Sequence, residues 1–122
     1  MNLYFNRANL LTLTITRPLT GEPWELPVGD TVELRLFREQ SIPLLTVTET
    51  PTTAGSVVTI GAIEREILGV NWPARSWVEV LIHQGDMVMN SGDCRYEVVV
   101  EESGVRHVAD YGVVTIGKSS GV

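Results

Sequence analysis

Residues Gly92–Gly117 read GDCRYEVVVEESGVRHVADYGVVTIG, and this stretch decides the fold class. From Arg95 to Glu101 the side chains alternate, with Tyr96, Val98 and Val100 on one side and Arg95, Glu97, Val99 and Glu101 on the other. A period of two marks a strand with one buried face. Glu102-Ser103-Gly104 has turn chemistry, so Val105–Val108 is expected to return antiparallel to the first strand. Tyr111-Gly112 reads as a reset of the chain before a last strand, Val113–Ile116. The stretch holds no metal-ligand spacing, no nucleophile beside a base and no phosphate-binding loop. It speaks of fold, not of chemistry.

The same alternation recurs upstream. Leu11, Leu13 and Ile15 share one face of Asn9–Thr16, with Thr12, Thr14 and Thr16 on the other, and Arg17-Pro18 ends that strand. Leu19–Gly29 is a loop rich in proline and glycine, with Trp24 and Leu26 tucked beneath it. Thr31–Phe37 alternates Val32, Leu34 and Leu36 with Glu33 and Arg35. Ile42–Glu49 comes back with Leu45 and Val47 inward, Pro43 delaying its start. Ser56–Ile60 is a short strand. Over Ala62–Leu68 the period changes: Ile63 and Ile67 lie four apart with Glu64, Arg65 and Glu66 between them, which predicts a short helix ended by Gly69. Asn71-Trp72-Pro73 is a turn, Ser76–Gln84 places Val78, Val80 and Ile82 toward a core, and Met87–Met89 is a brief extended excursion. Lys118–Val122 is a flexible tail, and Met1–Arg7, with Leu3 and Phe5 at alternate positions, reads as a short strand or as a docking arm over residues 1–8. Short strands between evenly spaced turns point to an all-β chain: a single antiparallel Ig-like β-sandwich of about eight or nine strands with one short helix.

At 122 residues the chain is one domain, able to bury a core without crosslinks. Its formal net charge of −6 disfavours a phosphate backbone as partner, and its nine Lys and Arg are scattered, so no nucleic acid is expected. The only cysteine, Cys94, excludes an intrachain disulfide and sits beside Asp93 rather than in an electropositive setting that would activate a thiol. No apolar run approaches the ~20 residues that cross a bilayer, and the N-terminus lacks the pattern of a secretory signal. The expected place of synthesis is a cytoplasm, with no membrane partner.

Candidate chemistry is thin. His83 and His107 are the only histidines and lack HxH or HxxxH spacing, so no metal and no cofactor is expected. The pairs Glu64/Glu66 and Glu101/Glu102 read as solvated faces rather than as acids flanking a cleft. Asp86 and Asp93, with Asn90 and Ser91 between them, hold oxygen ligands but do not follow a calcium-loop pattern. Among Trp24, Trp72 and Trp77, the last shares a strand face with Glu79 and His83 and is the candidate exposed aromatic.

The segments GDTVELRLF (29–37), AGSVVTI (54–60), AIEREILGVNW (62–72) and the closing Gly92–Gly117 stretch together resemble the small Ig-like β-sandwich domains of tailed-bacteriophage virion proteins, such as the N-terminal domains of baseplate upper proteins and tail fibres. Gly92, Tyr96, Val98, Val100, Gly112, Val114 and Ile116 carry the closing motif; Gly29, Asp30, Thr31, Val57 and Thr59 match the earlier part. The likeness spans Pro27–Gly117. It implies a non-enzymatic accessory subunit, either a head decoration or cement protein or a small tail, baseplate or neck adaptor. Such a subunit would be made in the host cytoplasm, located in the virion and present as repeated copies among other virion structural proteins. The expected interface residues are Leu3, Tyr4 and Phe5 of the arm, and Trp77. The other expectation is a carbohydrate-binding or adhesin-like module with Trp72 or Trp77 as platform.

Overall fold

A computed structural model of the chain describes residues 2–39, 41–87 and 91–119. The expected excursion Met87–Met89 and the tail Lys118–Val122 fall partly outside them, as do Met1 of the arm and Asn90. The described residues form an all-β sandwich. Its strands in chain order are β1 (Asn2–Tyr4), β2 (Asn9–Thr14), β3 (Thr31–Phe37), β4 (Leu45–Val47), β5 (Val57–Ile60), β6 (Arg65–Ile67), β7 (Val70–Trp72), β8 (Trp77–Ile82), β9 (Gly92–Glu102) and β10 (Val105–Gly117). The large sheet has the order β1-β10-β9-β3-β4, the small sheet β2-β8-β5, and β6 and β7 form a separate hairpin. All pairs are antiparallel except β1 with β10.

The longest pairing joins β9 to β10 through Ser103-Gly104, both at positive φ (51° and 82°). Such a two-residue turn matches the right-handed twist of the strands it joins. The expected break at Tyr111-Gly112 is not there: Val105–Gly117 is one strand with an irregularity between Val108 and Asp110. Ala109 is the extra residue, a bulge that shifts the phase by one. His107 lies opposite Val100 before it, and Gly112 and Val114 lie opposite Tyr96 and Cys94 after it. Both halves of β10 therefore face the same core. Gly112 makes room for the Tyr96 ring, which lies across it 2.9 Å from where a Cβ would stand.

Each sheet sends its alternate residues into a common interior. Val32, Leu34, Leu36, Val98, Val100, Val114 and Ile116 meet Leu13, Ile15, Val58, Val78, Val80 and Ile82. As Pro43 foretold, β4 starts late and contributes Val47. Trp24 and Leu26 close one end, held by hydrogen bonds from Trp24 N–H to the Ile15 carbonyl and from Leu26 N–H to the Arg75 carbonyl, each 2.9 Å.

One further expectation is corrected and one alternative is decided. Ala62–Leu68 is not a helix but the approach to and first strand of the β6–β7 hairpin, turning on Leu68-Gly69 with φ of 50° and 80°. The Ile63 carbonyl, which a helix would offer to Ile67, accepts instead from Trp77 Nε1–H at 2.8 Å. Gly61 is bound on both sides, its N–H to the Trp77 carbonyl and its carbonyl to Arg75 N–H, each 2.8 Å. The one helical turn of the described residues is a 3₁₀ turn at Gln84–Asp86. At the N-terminus, of the strand and the arm expected, the strand forms. Its Leu3 is 0% exposed, sits in β1 opposite Ile116 and belongs to the core, and Phe5 packs partly buried against that core. The Asn9 side chain closes the seam between the sheets: its Oδ1 accepts from Tyr4 N–H at 2.8 Å and its Nδ2 donates to the Tyr4 carbonyl at 2.9 Å. Leu3 is consumed by the fold, while Tyr4 and Phe5 stay half-buried. At the other terminus Ser119 is tied down, its N–H donating to Asn6 Oδ1 at 2.8 Å.

Trp77 lies so close over Gly61 that a Cβ there would stand 2.2 Å from Cε2 of the indole. Backbone fixed on both sides cannot yield easily, whereas the Tyr96 ring above Gly112 can tilt. Gly61→Ala should therefore destabilise by about 3 kcal/mol and Gly112→Ala by about 1 kcal/mol. Urea unfolding midpoints at constant slope measure both, and equal or reversed costs contradict this packing.

Candidate functional site

The ionisable candidates do not converge. His83 is exposed at the end of β8, its Nδ1 accepting from Gly85 N–H at 3.1 Å, which caps the 3₁₀ turn. His107 lies on the large sheet, edge-on to Trp24 with ring centroids 5.7 Å apart. Asp93 accepts from Thr115 Oγ1 at 3.0 Å, while Asp86 is held by a different pair of hydroxyls. Among the described residues no group of three His, Cys, Asp or Glu is placed to hold a metal ion.

The Asp86 surroundings were not legible as a cluster. Thr52 Oγ1 donates to Asp86 Oδ2 at 2.5 Å, and Ser56 Oγ donates to the same oxygen. Ser56 Oγ also accepts from His83 N–H at 2.8 Å, and Thr52 Oγ1 accepts from Ser56 N–H at 3.0 Å. Serine, histidine and aspartate thus meet, but not as a nucleophilic triad. The His83 ring faces Gly85, the serine proton goes straight to the carboxylate, and Ser56 is 0% exposed. The cluster ties the loop before β5 to the turn after β8. Its faint signal in sequence is the turn Thr52–Ser56, whose hydroxyls can bond backbone N–H groups. The hydrogen bond from Ser56, then that from Thr52, holds the Asp86 carboxyl below its ordinary value of 3.8, against a smaller opposing effect of burial.

Cys94 is buried with Arg38 Nη2 3.5 Å from its sulfur. Tyr96 donates its hydroxyl to Asp110 Oδ2 at 3.2 Å; burial, then the Asp110 charge, pushes the phenol upward.

Of the two tryptophans expected as a platform, Trp77 is buried and Trp72 half-buried. Trp77 is 7% exposed, pressed on Gly61 on one side, with the Arg65 guanidinium 5.1 Å from its ring centre. As an interface residue it is corrected: it anchors the hairpin instead. Trp24 is buried beneath Arg17, 5.0 Å from its ring centre, and Trp72 is half-buried in β7. Tyr4 is half-buried with Arg7 above it.

Exposed apolar side chains gather elsewhere. Val108, Tyr111 and Val113 occupy successive outward positions of β10, and Tyr111 is 77% exposed. Ile63, Leu68 and Val70 stand exposed on and around the β6–β7 hairpin, with Leu68 at its tip 100% exposed. Sequence reading missed both groups. The bulge concealed the outward phase of β10, and the presumed helix concealed the hairpin. The available signal was Leu-Gly in a two-residue turn that favours Asn-Gly.

Asp86 sets a pH dependence. Because its folded carboxyl titrates below 3.8, it adds stability that is complete above that value and is lost as pH falls through the folded value. Asp86→Asn should be less stable than the parent at pH 7, with the gap closing as pH drops below about 3.8. Urea unfolding at pH 7, 5 and 3 tests this, and a gap independent of pH refutes it. A comparison of the chain with family models, curated proteins and solved structures finds no match to any of the three.

Proposed function

We propose that this protein is a non-enzymatic structural subunit that works through protein–protein interfaces, as an accessory component of a phage virion. The observation that carries the docking role is apolar surface left exposed by a chain that has filled its core elsewhere: Val108, Tyr111 and Val113 on β10, and Ile63, Leu68 and Val70 at the hairpin. Contiguous apolar surface on a folded domain marks interaction sites, and an exposed tyrosine among valines is a common interface anchor. The net charge of −6 favours protein partners over nucleic acid. The virion setting is supported by the likeness of Pro27–Gly117 to Ig-like domains of tailed-phage proteins. A small sandwich repeated on a symmetric particle gains avidity from modest contacts.

Mass spectrometry of gradient-purified particles from cells that carry the gene should find the chain at a stoichiometry fixed by particle symmetry. Its absence from particles removes the virion role. Tyr111→Glu, which places a charge on the outer face of β10 without touching the core, should cut incorporation at least about tenfold, the effect of ~1.4 kcal/mol.

A further inference from the structure

The β6–β7 hairpin carries features that work against folding. Leu68 holds a left-handed backbone, φ 50°, at the first central position of a two-residue turn, where Asn, Asp or Gly sits with less strain. Its side chain touches solvent over its whole surface. Asn-Gly would make the same turn with neither cost. A strained and fully exposed leucine at a projecting tip indicates a role outside the fold.

The base of the hairpin is fixed. Trp77 Nε1–H binds the Ile63 carbonyl, and the Arg65 guanidinium lies over the Trp77 ring and pairs with Glu79 at 3.0 Å. Arg75 also faces the body of the protein, its Nε donating to the Leu26 carbonyl at 2.6 Å and its Nη2 to the Pro27 carbonyl at 3.1 Å. With both arginines engaged inward, the outward charge of the hairpin is acidic: Glu64, which accepts from Asn71 Nδ2, and Glu66, both exposed. The tip is apolar, its flank is negative, and its position is preorganised, which lowers the entropy lost on binding.

The geometry points to β6–β7 as a docking finger that inserts Leu68, with Val70 next to the tip, into an apolar pocket of another protein whose rim carries Arg or Lys facing Glu64 and Glu66. This rests on the docking role proposed above and names its surface and the partner's chemistry. A bilayer is the wrong partner, because anionic headgroups repel the acidic flank. A second copy is disfavoured by charge. Of two grooves among the described residues, one carries Glu33, Glu49 and Glu101 against the single cation Arg106 and the other follows the β1 edge, and two chains of charge −6 repel.

The test places photoreactive benzoylphenylalanine at Leu68, and separately at Leu19, an equally exposed loop leucine, in the full chain within the cells that make it. Irradiation should give one discrete protein adduct from position 68 and none from position 19. Excess unlabelled parent chain should suppress the adduct, Leu68→Asn chain should fail to do so, and Glu64→Lys with Glu66→Lys should lower adduct yield at least fivefold. Purified Leu68→Asn should melt about 3 °C higher than the parent. The finger is overturned by no adduct at 68, by equal adducts at 68 and 19, by a lipid or self adduct, by competition from Leu68→Asn, by an adduct indifferent to the charge reversal, or by a Leu68→Asn chain no more stable than the parent. A partner that is not a virion protein removes the virion setting and keeps the finger. A chain present in particles with no adduct at 68 does the reverse.

Discussion

The structure depends on one extra residue. Ala109 bulges out of the β9–β10 ladder and changes which side chains of β10 face inward. Without it, a strict period of two continued from His107 would turn Val114 and Ile116 to solvent and Val113 and Thr115 to the core. With it, Val114 and Ile116 are buried, Ile116 stands opposite Leu3, and β1 gains its place as a parallel edge strand. The Asn9 side chain then binds both backbone groups of Tyr4 and joins that edge to the first strand of the small sheet. Core, edge and seam follow from one phase shift.

That phase shift also sets what the sequence could reveal. Strands with a constant period were legible nearly to the residue: Thr31–Phe37 matches β3, and Val78, Val80 and Ile82 fill the core as their alternation required. The phase changes at Ala109, just before Tyr111-Gly112, and a turn and a bulge produce the same change. Only the partner strand decides between them, and β9 continues unbroken opposite Tyr111 and Gly112. The misread helix has a similar origin. Ile63 and Ile67 are four apart, but helical spacing stabilises only when the shared face is buried, and Ile63 is exposed. The competing interaction, the Trp77 indole bonding the Ile63 carbonyl, joins residues far apart in sequence and leaves no local trace.

The candidate surfaces were less legible than the fold, for the same physical reason. Aromatic residues were expected at an interface, yet burial is where most aromatic surface is stabilised. The chain follows that rule with Trp24 and Trp77, and exposes valine, leucine and isoleucine together with Tyr111. Leu3 illustrates the converse. A terminal stretch with alternating apolar residues reads equally as an arm for a neighbour or as an edge strand for its own sheet, and the open edge of β10 captures it.

The two apolar surfaces lie on opposite sides of the sandwich. Val108, Tyr111 and Val113 point away from the core on the large sheet. The hairpin is mounted on Trp77, which points away from the core on the small sheet, because Val78, Val80 and Ile82 take the inward positions of β8. A ligand-binding module concentrates its contacts on one concave site. Under the proposed docking role, surfaces that face away from each other make a single copy divalent, so it can join two neighbours rather than cap one. Divalence also relaxes the demand on each contact, since the second engagement occurs at the high effective concentration set by the first. Both surfaces are carried by strands packed on one core, which suits that arrangement, because preorganised contacts lose less entropy on binding.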